Sequence, residues 1–493
     1  MSKRRGIFRE VMSRLGFVHR DESAAGARAY AAARISRLTS DWIMSALAPN
    51  EEVRSGLKTT RERARVEERD NDHIRRYLRV VEKNLVGPAG AILQMQVRNA
   101  DGSMDVGANA KVEDGWRQWG RKGVCTADGQ LSWLGVQRVA MRGVKRDGET
   151  LVRLLRGWGR NRFGFAVQLL EPDLLDHEYD AEPRGGSPRV RMGVELDEWM
   201  RPTAYHLFTA HPGDLRSVAP RQRVRIPVSD LLHVYTVERT GQVRGVTAMC
   251  SALRRLHMLS GYEEAEVVAA RAASCKMGFY ETGPEYQGDG KDVDGSWLED
   301  AEPGSNRLLP AGVTYKAHDP QHPTAQFPAF VGACLKGAAS GLDVSYAKLT
   351  SDLAEANYSS MRVGNLDDQD GFGMDQAELL VEGLCAPVFS AWLEMALLTQ
   401  AVVLPSAKFD RFNSAAWQPR TWSSVDPEKD ARADEIAEDR RWKSPRQVAA
   451  SYGNDREDVF ADVKADAEMA ARYGVQATVK KEAGNVPAAG AQA

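Results

Sequence analysis

The chain has 493 residues, of which 43% are hydrophobic and 27% are charged, the composition of a globular protein with about two to four structural units. Lys and Arg number 66 and Asp and Glu number 68, so the formal net charge is -2. This balance disfavours a protein that grips nucleic acid through a general basic surplus, but not one that lets DNA slide past.

The five cysteines are scattered and form no C-x-x-C pair, which disfavours a disulfide scaffold or a zinc module and fits a reducing compartment. We find no apolar run that approaches the length of a membrane span. The basic start, MSKRRGIFREVMSRLGF, lacks the apolar core of a signal peptide. We expect residues 1–30 to form an N-terminal arm, with a short amphipathic helix as the alternative.

A charged helix is predicted for residues 59–86, and Gly87-Pro88 ends its pattern. The arginines of residues 61–79 alternate with acidic residues. Mixed charge at helical spacing is normally a solvated, ion-paired face, and we favour that interpretation over a nucleic-acid patch.

A second helical stretch is predicted for residues 116–144. Asp147-Gly148 then marks a turn into a strand at 150–155. Residues 163–237 alternate or are rich in Val and Tyr between turn-prone segments, which indicates a small antiparallel sheet. The core candidates of the second helical stretch are Trp116, Trp119, Leu131, Trp133 and Leu134.

Two helices around an irregular insert predict a stalk with a tip. Residues 247–277 contain no proline, and a single helix of that length would span about 45 Å. An insert rich in Gly, Pro and Asp follows, with a predicted strand pair near residues 276–280 and 312–316. Apolar residues at helical spacing then predict a second helix over 327–342.

The remaining chain is predicted to be mainly helical. Helices are expected over residues 374–398, where Pro387 kinks or splits the run. Residues 405–419 are predicted to be a loop with aromatic contacts. A charged helix is expected to start near Asp426-Pro427, and the last dozen residues are expected to be disordered.

Catalytic signatures are scarce. The sequence contains no Walker A, H-E-x-x-H, G-x-S-x-G or G-x-G-x-x-G motif. Pro320 lies between His318 and His322 and argues against a helical metal-binding pair there. We therefore predict no metal site, and from the missing motifs we predict no cofactor and no catalytic residue. An acidic cluster consists of Asp367, Asp368, Asp370 and Asp375. We interpret it as a solvated turn. The alternative is a hydrolase or nuclease that uses Ser359 or this cluster.

The segment R-T-G-Q-V-R-G joins the last predicted strand to the first stalk helix. One interpretation is a loop that caps the helix, with glycines that supply turn freedom. The other is that Arg239 and Arg244 pair with acidic groups of a neighbouring subunit. The sequence leaves both open.

An ordered set of motifs resembles the lambda-type family of tailed-phage portal proteins over about residues 30–470. In a hairpin at residues 193–205, Met200 stands where the family often has a turn glycine. The other motifs are A-x-x-S-R-x-x-x-x-W at 31–42, R-x-R-x-R at 61–65, N-x-V-G at 84–87, Trp116 with Trp119, D-G-E at 147–149, R-T-G-Q-V-R-G at 239–245, L-T-S-D-L-x-x-x-N-Y-S-S-x-R at 349–362 and V-D-P at 425–427.

The resemblance implies an α+β, mainly α, portal fold that assembles as a ring. Its implied parts are an N-terminal arm (1–30), a wing domain of sheet and helices (31–246), a first stem helix (247–277), a clip (278–324), a second stem helix (325–343), a tunnel loop (344–357), a long wing helix region (358–400), a helical crown (401–480) and a disordered tail (481–493).

The resemblance also implies a function. A ring of twelve copies would sit at one capsid vertex of the virion, after synthesis in the host cytoplasm, and pass double-stranded DNA transiently during packaging and ejection. Implied partners are the large terminase subunit, capsid or scaffold proteins and head-completion adaptor proteins, with no membrane. Such a protein is structural and not an enzyme.

Site residues follow from the same resemblance. Lys348 is expected to make transient phosphate contacts that Asp352 and Glu355 keep weak. The expected channel residues are Tyr346, Lys348, Asp352, Glu355 and Asn357. The expected subunit-interface or motif residues are Arg239, Gln242, Arg244, Gly245, Tyr358, Ser359 and Arg362. The expected terminase-binding clip residues are Tyr280, Glu281, Tyr315 and Lys316.

Overall fold

The computed structural model describes residues 45–184, 188–214, 222–274, 278–284, 312–317, 326–354, 357–422, 427–452, 454 and 456–474. The chain divides into two compact units, Met1–Ala48 and Pro49–Ala493. Of the first, only residues 45–48 are described, and they are exposed and irregular. The predicted arm, the motif at 31–42, Glu355 and the predicted tail at 481–493 lie outside the described residues.

The second unit mixes helices and strands, as predicted. The α-helices are α1 (Pro49–Asp70), α2 (Asp72–Val81), α3 (Val106–Trp119), α4 (Trp133–Asp147), α5 (Cys250–Ser274), α6 (Phe327–Gly341), α7 (Tyr346–Thr350), α8 (Tyr358–Asp375), α9 (Ala386–Leu398), α10 (Phe409–Phe412), α11 (Pro427–Asp439), α12 (Pro445–Ser451) and α13 (Arg456–Tyr473). Two π-helical segments are Glu82–Val86 and Gln376–Cys385.

The strands form antiparallel sheets. They are β1 (Ile92–Met95), β2 (Glu149–Arg156), β3 (Phe165–Leu170), β4 (Arg189–Arg191), β5 (Val194–Leu196), β6 (Pro202–Phe208), β7 (Arg223–Pro227), β8 (Leu231–Tyr235), β9 (Gly278–Thr282), β10 (Val313–Ala317) and β11 (Ala415–Gln418). Short 3₁₀ turns occur at Pro172–Leu174, Val228–Asp230 and Ser406–Lys408.

The predicted helix over 59–86 is present, but it starts at Pro49 and breaks at Asn71. The Asn71 side chain accepts hydrogen bonds from the His73 and Ile74 amides, which caps a new helix and satisfies two of its free donors. The helical run ends at Gly87, whose φ is 74°, as the sequence predicted. Glycine adopts this left-handed conformation at little cost.

The prediction of continuous helix over 116–144 is wrong between α3 and α4. Gly123 and Gly129 take positive φ values in the intervening loop, and Ser132 caps α4 by accepting from the Gly135 amide. The tryptophans on either side still pack together. Ring centroids of Trp116 and Trp133 lie 5.3 Å apart. The loop therefore folds back and brings both helices to one core.

The predicted small sheet is two sheets. One has the strand order β3-β2-β8 and the other has the order β4-β5-β6-β7. The β5–β6 hairpin turns with Met200 at φ 62°, the conformation that a glycine adopts more easily. Met200 therefore adopts, in this turn, the left-handed conformation for which the family often uses glycine.

The two helices predicted around the insert are present. Helix α5 is continuous and packs against the returning helix α6. Strands β9 and β10 pair antiparallel, as predicted, and the residues between these strands and the helices lie outside the described residues. The two helices approach closely where Ser251 Oγ donates to the Gly341 carbonyl at 2.6 Å, because a glycine leaves room for that contact.

The segment after the stalk differs in detail from the prediction. Pro387, which lacks a backbone N–H, is the second residue of α9. The π-helical segment Gln376–Cys385 precedes it, so the run changes geometry and does not stop. Residues 405–419 are not simply a loop, because β11 pairs with β1. The predicted charged helix is present as α11 from Pro427 onward, and Asp426 lies outside the described residues.

The helical run Ser360–Leu398 is long and apolar enough to cross a bilayer by length and composition, which corrects the expectation that no apolar run reaches that length. However, 56% of its apolar window is buried inside the protein. Phe389 and Trp392 of α9 lie in the main core with Trp116. A core helix accounts for this pattern.

Candidate functional site

Several motifs of the sequence analysis converge on one buried carboxylate, Glu149, at the start of β2. Arg61 of α1 donates to it at 2.6 Å and Arg244 donates at 2.5 Å. His233 Nε2 of β8 lies 2.8 Å away, and the Gly245 amide donates at 3.0 Å. We call Arg61, Glu149, His233 and Arg244 the Glu149 cluster.

The Glu149 cluster ties α1 to the sheet. Arg61 also donates to the carbonyl of Asp147 at 3.2 Å and to Asp173 at 3.3 Å. Arg65, one turn later, lies 2.8 Å from Asp147 and 2.5 Å from Asp173. The first and last arginines of R-x-R-x-R therefore hold the D-G-E turn. The solvated-face interpretation is wrong for Arg61, of which only 3% is exposed.

Arg244 is fully buried, with 0% of the residue exposed. Beside its three hydrogen bonds to Glu149, it donates to the Met192 carbonyl at 2.9 Å and the Leu175 carbonyl at 3.4 Å. Every strong partner lies within its own chain. The expectation that Arg244 pairs with a neighbouring subunit is therefore corrected: a fully buried guanidinium cannot reach another chain.

The rest of R-T-G-Q-V-R-G forms a loop in which side-chain oxygens accept hydrogen bonds from backbone amides. Gln242 Oε1 accepts from the amides of Glu238 (3.0 Å) and Arg239 (3.1 Å). Asn50 of α1 accepts from the Val243 amide at 3.0 Å. Arg239 pairs with Glu52 at the surface. These bonds close the loop on itself and do not reach the first turn of α5, so the capping interpretation stays a prediction, as does the interface role of the exposed Arg239.

Burial by itself would raise the pKa of the Glu149 carboxyl, but the charges of Arg244 and Arg61 and the hydrogen bond from His233 outweigh it and hold that pKa well below its usual range. Burial lowers the pKa of the His233 imidazole, although Glu149 opposes this effect. At neutral pH the cluster therefore contains an ionised carboxylate, a neutral imidazole and two guanidinium groups.

The predicted tunnel loop, residues 344–357, contains the short helix α7 between irregular residues. The ammonium of Lys348 lies 3.0 Å from the Asp368 carboxylate, and the lysine side chain is 19% exposed. Tyr346 donates to Asp352 at 3.3 Å. Asn357 caps α8 by accepting from the Ser360 amide at 2.8 Å. Lys348 therefore has an intramolecular partner that the sequence did not suggest, and its phosphate contact stays a prediction.

Helix α8 spreads the predicted acidic cluster over separate partners. Asp368 accepts from the Ser345 amide and hydroxyl at 2.8 and 2.6 Å. Asp375 lies 2.6 Å from Lys145. The prediction of a turn is wrong, because these residues lie in helix α8. Asp367 and Asp370 are exposed, as a solvated cluster implies, whereas Asp368 is buried. The side chains of Tyr358 and Ser359 lie outside the described residues, and Arg362 lies 3.3 Å from Asp430.

Strands β9 and β10 place the predicted clip residues opposite one another. Tyr280 pairs with Tyr315 in the strand register, and the side chains of these two tyrosines lie outside the described residues. Glu281 and Lys316 form an exposed ion pair at 2.6 Å. Their role toward a partner stays a prediction.

Among the described residues, one group has the spacing of metal ligands: Glu171, Asp173 and His211. The Gly213 amide donates to His211 Nδ1 at 3.0 Å, so in the neutral ring Nε2 carries the proton and faces Glu171 at 2.9 Å. A protonated nitrogen is not a metal ligand, and Arg65 already pairs with Asp173. The group is an ion-pair cluster.

His233 and Asp173 were not predicted from the sequence as members of this site. Strand β8 reads LLHVY, so His233 shares a face with Leu231 and Tyr235. A histidine on the apolar face of a strand indicates a buried side chain that needs a hydrogen-bonding partner, and this pattern could have identified His233. Asp173 carried no comparable signal, because it lies in a short turn after β3.

Comparisons with known proteins agree with this arrangement of motifs. The family model described as "Phage portal protein, lambda family" matches residues 35–376. The "Probable portal protein" of Halomonas phage phiHAP-1 is 33% identical over 91% of this chain and 88% of its own. "Portal protein B" of Escherichia phage lambda is 20% identical over 71% of this chain and 72% of its own.

Among solved structures, a chain in "Neck of empty GTA particle computed with C6 symmetry" aligns with a TM-score of 0.43, 13% identity and coverage of 83% of this chain and 95% of that chain. The sequence family is structural and not enzymatic, which sets aside the hydrolase or nuclease alternative. The chain belongs to the lambda family of phage portal proteins.

Proposed function

We propose that this protein forms the portal ring at one vertex of a phage capsid and conducts double-stranded DNA during packaging and ejection. Family membership supports the portal role. The ring of twelve, the DNA channel and the docking of a terminase are the finer parts of the proposal. Each subunit would offer two different faces to its neighbours, because a closed ring needs heterologous contacts.

The observation that carries the proposal is the paired stalk of α5 and α6 with the β9–β10 pair at its tip. An out-and-back helix pair lets one chain line a passage and present a tip to a partner. We assign α5 and α6 to the stem and the tip to the clip, where the terminase motor and later the adaptor proteins dock. Residues 401–480 would form the crown.

The near-zero charge is consistent with passage of DNA. A channel lined with many Lys and Arg residues would bind phosphates through counterion release and slow the DNA. The ion pairs Lys348–Asp368 and Glu281–Lys316 keep cations of the proposed tunnel and clip neutralised. The proposed channel therefore holds DNA weakly.

Particle mass and shape test the proposal. Twelve copies of 54.4 kDa give about 653 kDa, and negative-stain images should show a ring with a central hole. Antibody labelling of isolated capsids should mark a single vertex. A protein that is monomeric or dimeric in every salt condition, and that labels no capsid vertex, would contradict the proposal.

A further inference from the structure

The tip of the β2–β3 hairpin and the loop that follows α3 are joined into one surface. At the tip, Asn161 Nδ2 donates to the carbonyls of Val124 (3.0 Å) and Phe165 (2.8 Å). The Val167 amide donates to the Cys125 carbonyl at 2.8 Å. Hydrogen bonds across both loops hold them in one geometry, so residues on either side of them keep a fixed arrangement.

This surface carries four exposed cations. In the part of the chain that the structure describes, none of them forms an ion pair, whereas the neighbouring Arg117 and Arg156 pair with Asp114 and Asp230. Asp128, an acid on the same loop, accepts from the Gln130 amide at 3.1 Å. The four cations, which we call the hairpin-tip surface, are Arg121, Lys122, Arg160 and Arg162.

Two of the guanidinium groups are oriented by neutral neighbours. Arg160 lies 5.6 Å from the ring centroid of the half-buried Trp158, and Arg162 donates to Gln118 Oε1 at 2.5 Å. Neither contact neutralises the charge. Oriented cations lose less side-chain entropy when they bind an anion, which favours binding.

The charge and reach of this surface suit a polyanion. Arg160 and Arg162 flank Asn161, which donates to the Val124 carbonyl, and Arg121 and Lys122 precede Val124 by three and two residues, so the backbones of all four lie within about 10–15 Å by chain length. Duplex DNA carries one negative charge per about 1.7 Å of axis, and several phosphates would face such a surface. The whole chain, by contrast, has a net charge of -2.

We propose that the hairpin-tip surface binds the phosphate backbone of double-stranded DNA without sequence preference. The site is separate from the stem and tunnel segments to which the channel is assigned. The inference rests on the proposed function for its choice of DNA as the polyanion. It adds a second place where the portal holds DNA, outside the passage itself.

The test measures binding of a fluorescent 30-base-pair duplex by anisotropy between 50 and 200 mM salt. Two variants remove two charges each: Arg160→Gln with Arg162→Gln, and Arg121→Gln with Lys122→Gln. Each should weaken binding at least about tenfold at low salt and reduce the slope of log affinity against log salt by about two. The matched control, Lys58→Gln with Lys83→Gln, removes two exposed cations elsewhere and should leave both quantities unchanged.

Assembly is measured on the same samples. Variants that form rings like the wild type, melt at the same temperature and bind the duplex equally well would overturn the DNA site but leave the portal ring intact. Absence of rings from the wild type itself would count against the proposed function instead. Tighter binding of poly-glutamate than of duplex would also overturn the inference, because it would identify an acidic protein as the partner.

Discussion

Gly148 and Gly245 lie backbone against backbone beside the buried Glu149. A Cβ on Gly245 would overlap the carbonyl of Gly148, and a Cβ on Gly148 would overlap the backbone around Val246. Gly148 also has a φ of 92°. This close approach places the Gly245 amide 3.0 Å from the Glu149 carboxylate. Two glycines that are 97 positions apart in the sequence are therefore one structural feature.

Gly245→Ala should lower the free energy of unfolding by more than about 2 kcal/mol, because the new methyl group must displace backbone and not a flexible side chain. Denaturant unfolding of the purified protein measures this change. Gly261→Ala in α5 is the control: no atom lies within 4 Å of its Cβ position, and alanine in a helix should stabilise by about 0.5–1 kcal/mol. Equal effects at the two sites would contradict the packing argument.

Arg244→Met should destabilise the fold strongly, by about 3–5 kcal/mol, because it leaves Glu149 buried and less well paired. Arg239→Met removes an exposed arginine of the same motif and should cost less than about 1 kcal/mol. Thermal unfolding of both variants gives the comparison. If Arg239→Met were the more damaging change, the importance of the motif would lie at the surface and not in the Glu149 cluster.

Stability should fall as the pH drops from about 7 to 5. Burial lowers the pKa of His233, and the pKa values of His177 and His206 are also lowered, mainly by burial. The unfolded chain therefore binds protons below about pH 6.5 that the folded chain does not yet bind. The lowered pKa of Glu149 adds a further loss below about pH 4.3, since protonation removes its ion pairs.

The melting temperature measured against pH tests this sign. His233→Gln can still donate to Glu149 but does not titrate, so its melting temperature should fall less between pH 7 and pH 5 than that of the wild type. A variant with the same pH dependence as the wild type would show that His233 is not one of the groups responsible.

Lys348→Glu should destabilise the protein, because it would place a second carboxylate beside the buried Asp368. The exchange Lys348→Glu with Asp368→Lys restores opposite charges and should recover part of the lost stability, because a lysine at 368 cannot accept the hydrogen bonds from Ser345. A measurement of DNA packaging by the exchange variant then distinguishes a structural role of Lys348 from a role in contacting DNA. Packaging that recovers with stability indicates a structural ion pair, whereas packaging that stays impaired in a stable exchange variant indicates direct contact with DNA.

Local pattern was enough to predict the stalk. Apolar spacing and the absence of proline predict α5 and α6, and the turn-rich insert between them predicts a tip. The same reasoning was wrong for residues 120–132, because two glycines with positive φ values break a stretch whose neighbours favour helix. It also missed strand β11, whose partner β1 lies more than 300 residues away.

The sequence by itself determined the family of this protein and the two helices that flank the insert, because motifs and helical periodicity are local properties. Only the tertiary structure decided what the charged motif residues do. Arg61, Glu149 and Arg244 come from distant segments, and their meaning depends on burial: inside the protein a charge must be paired. Burial and pairing arise from long-range packing, which no single stretch of sequence encodes.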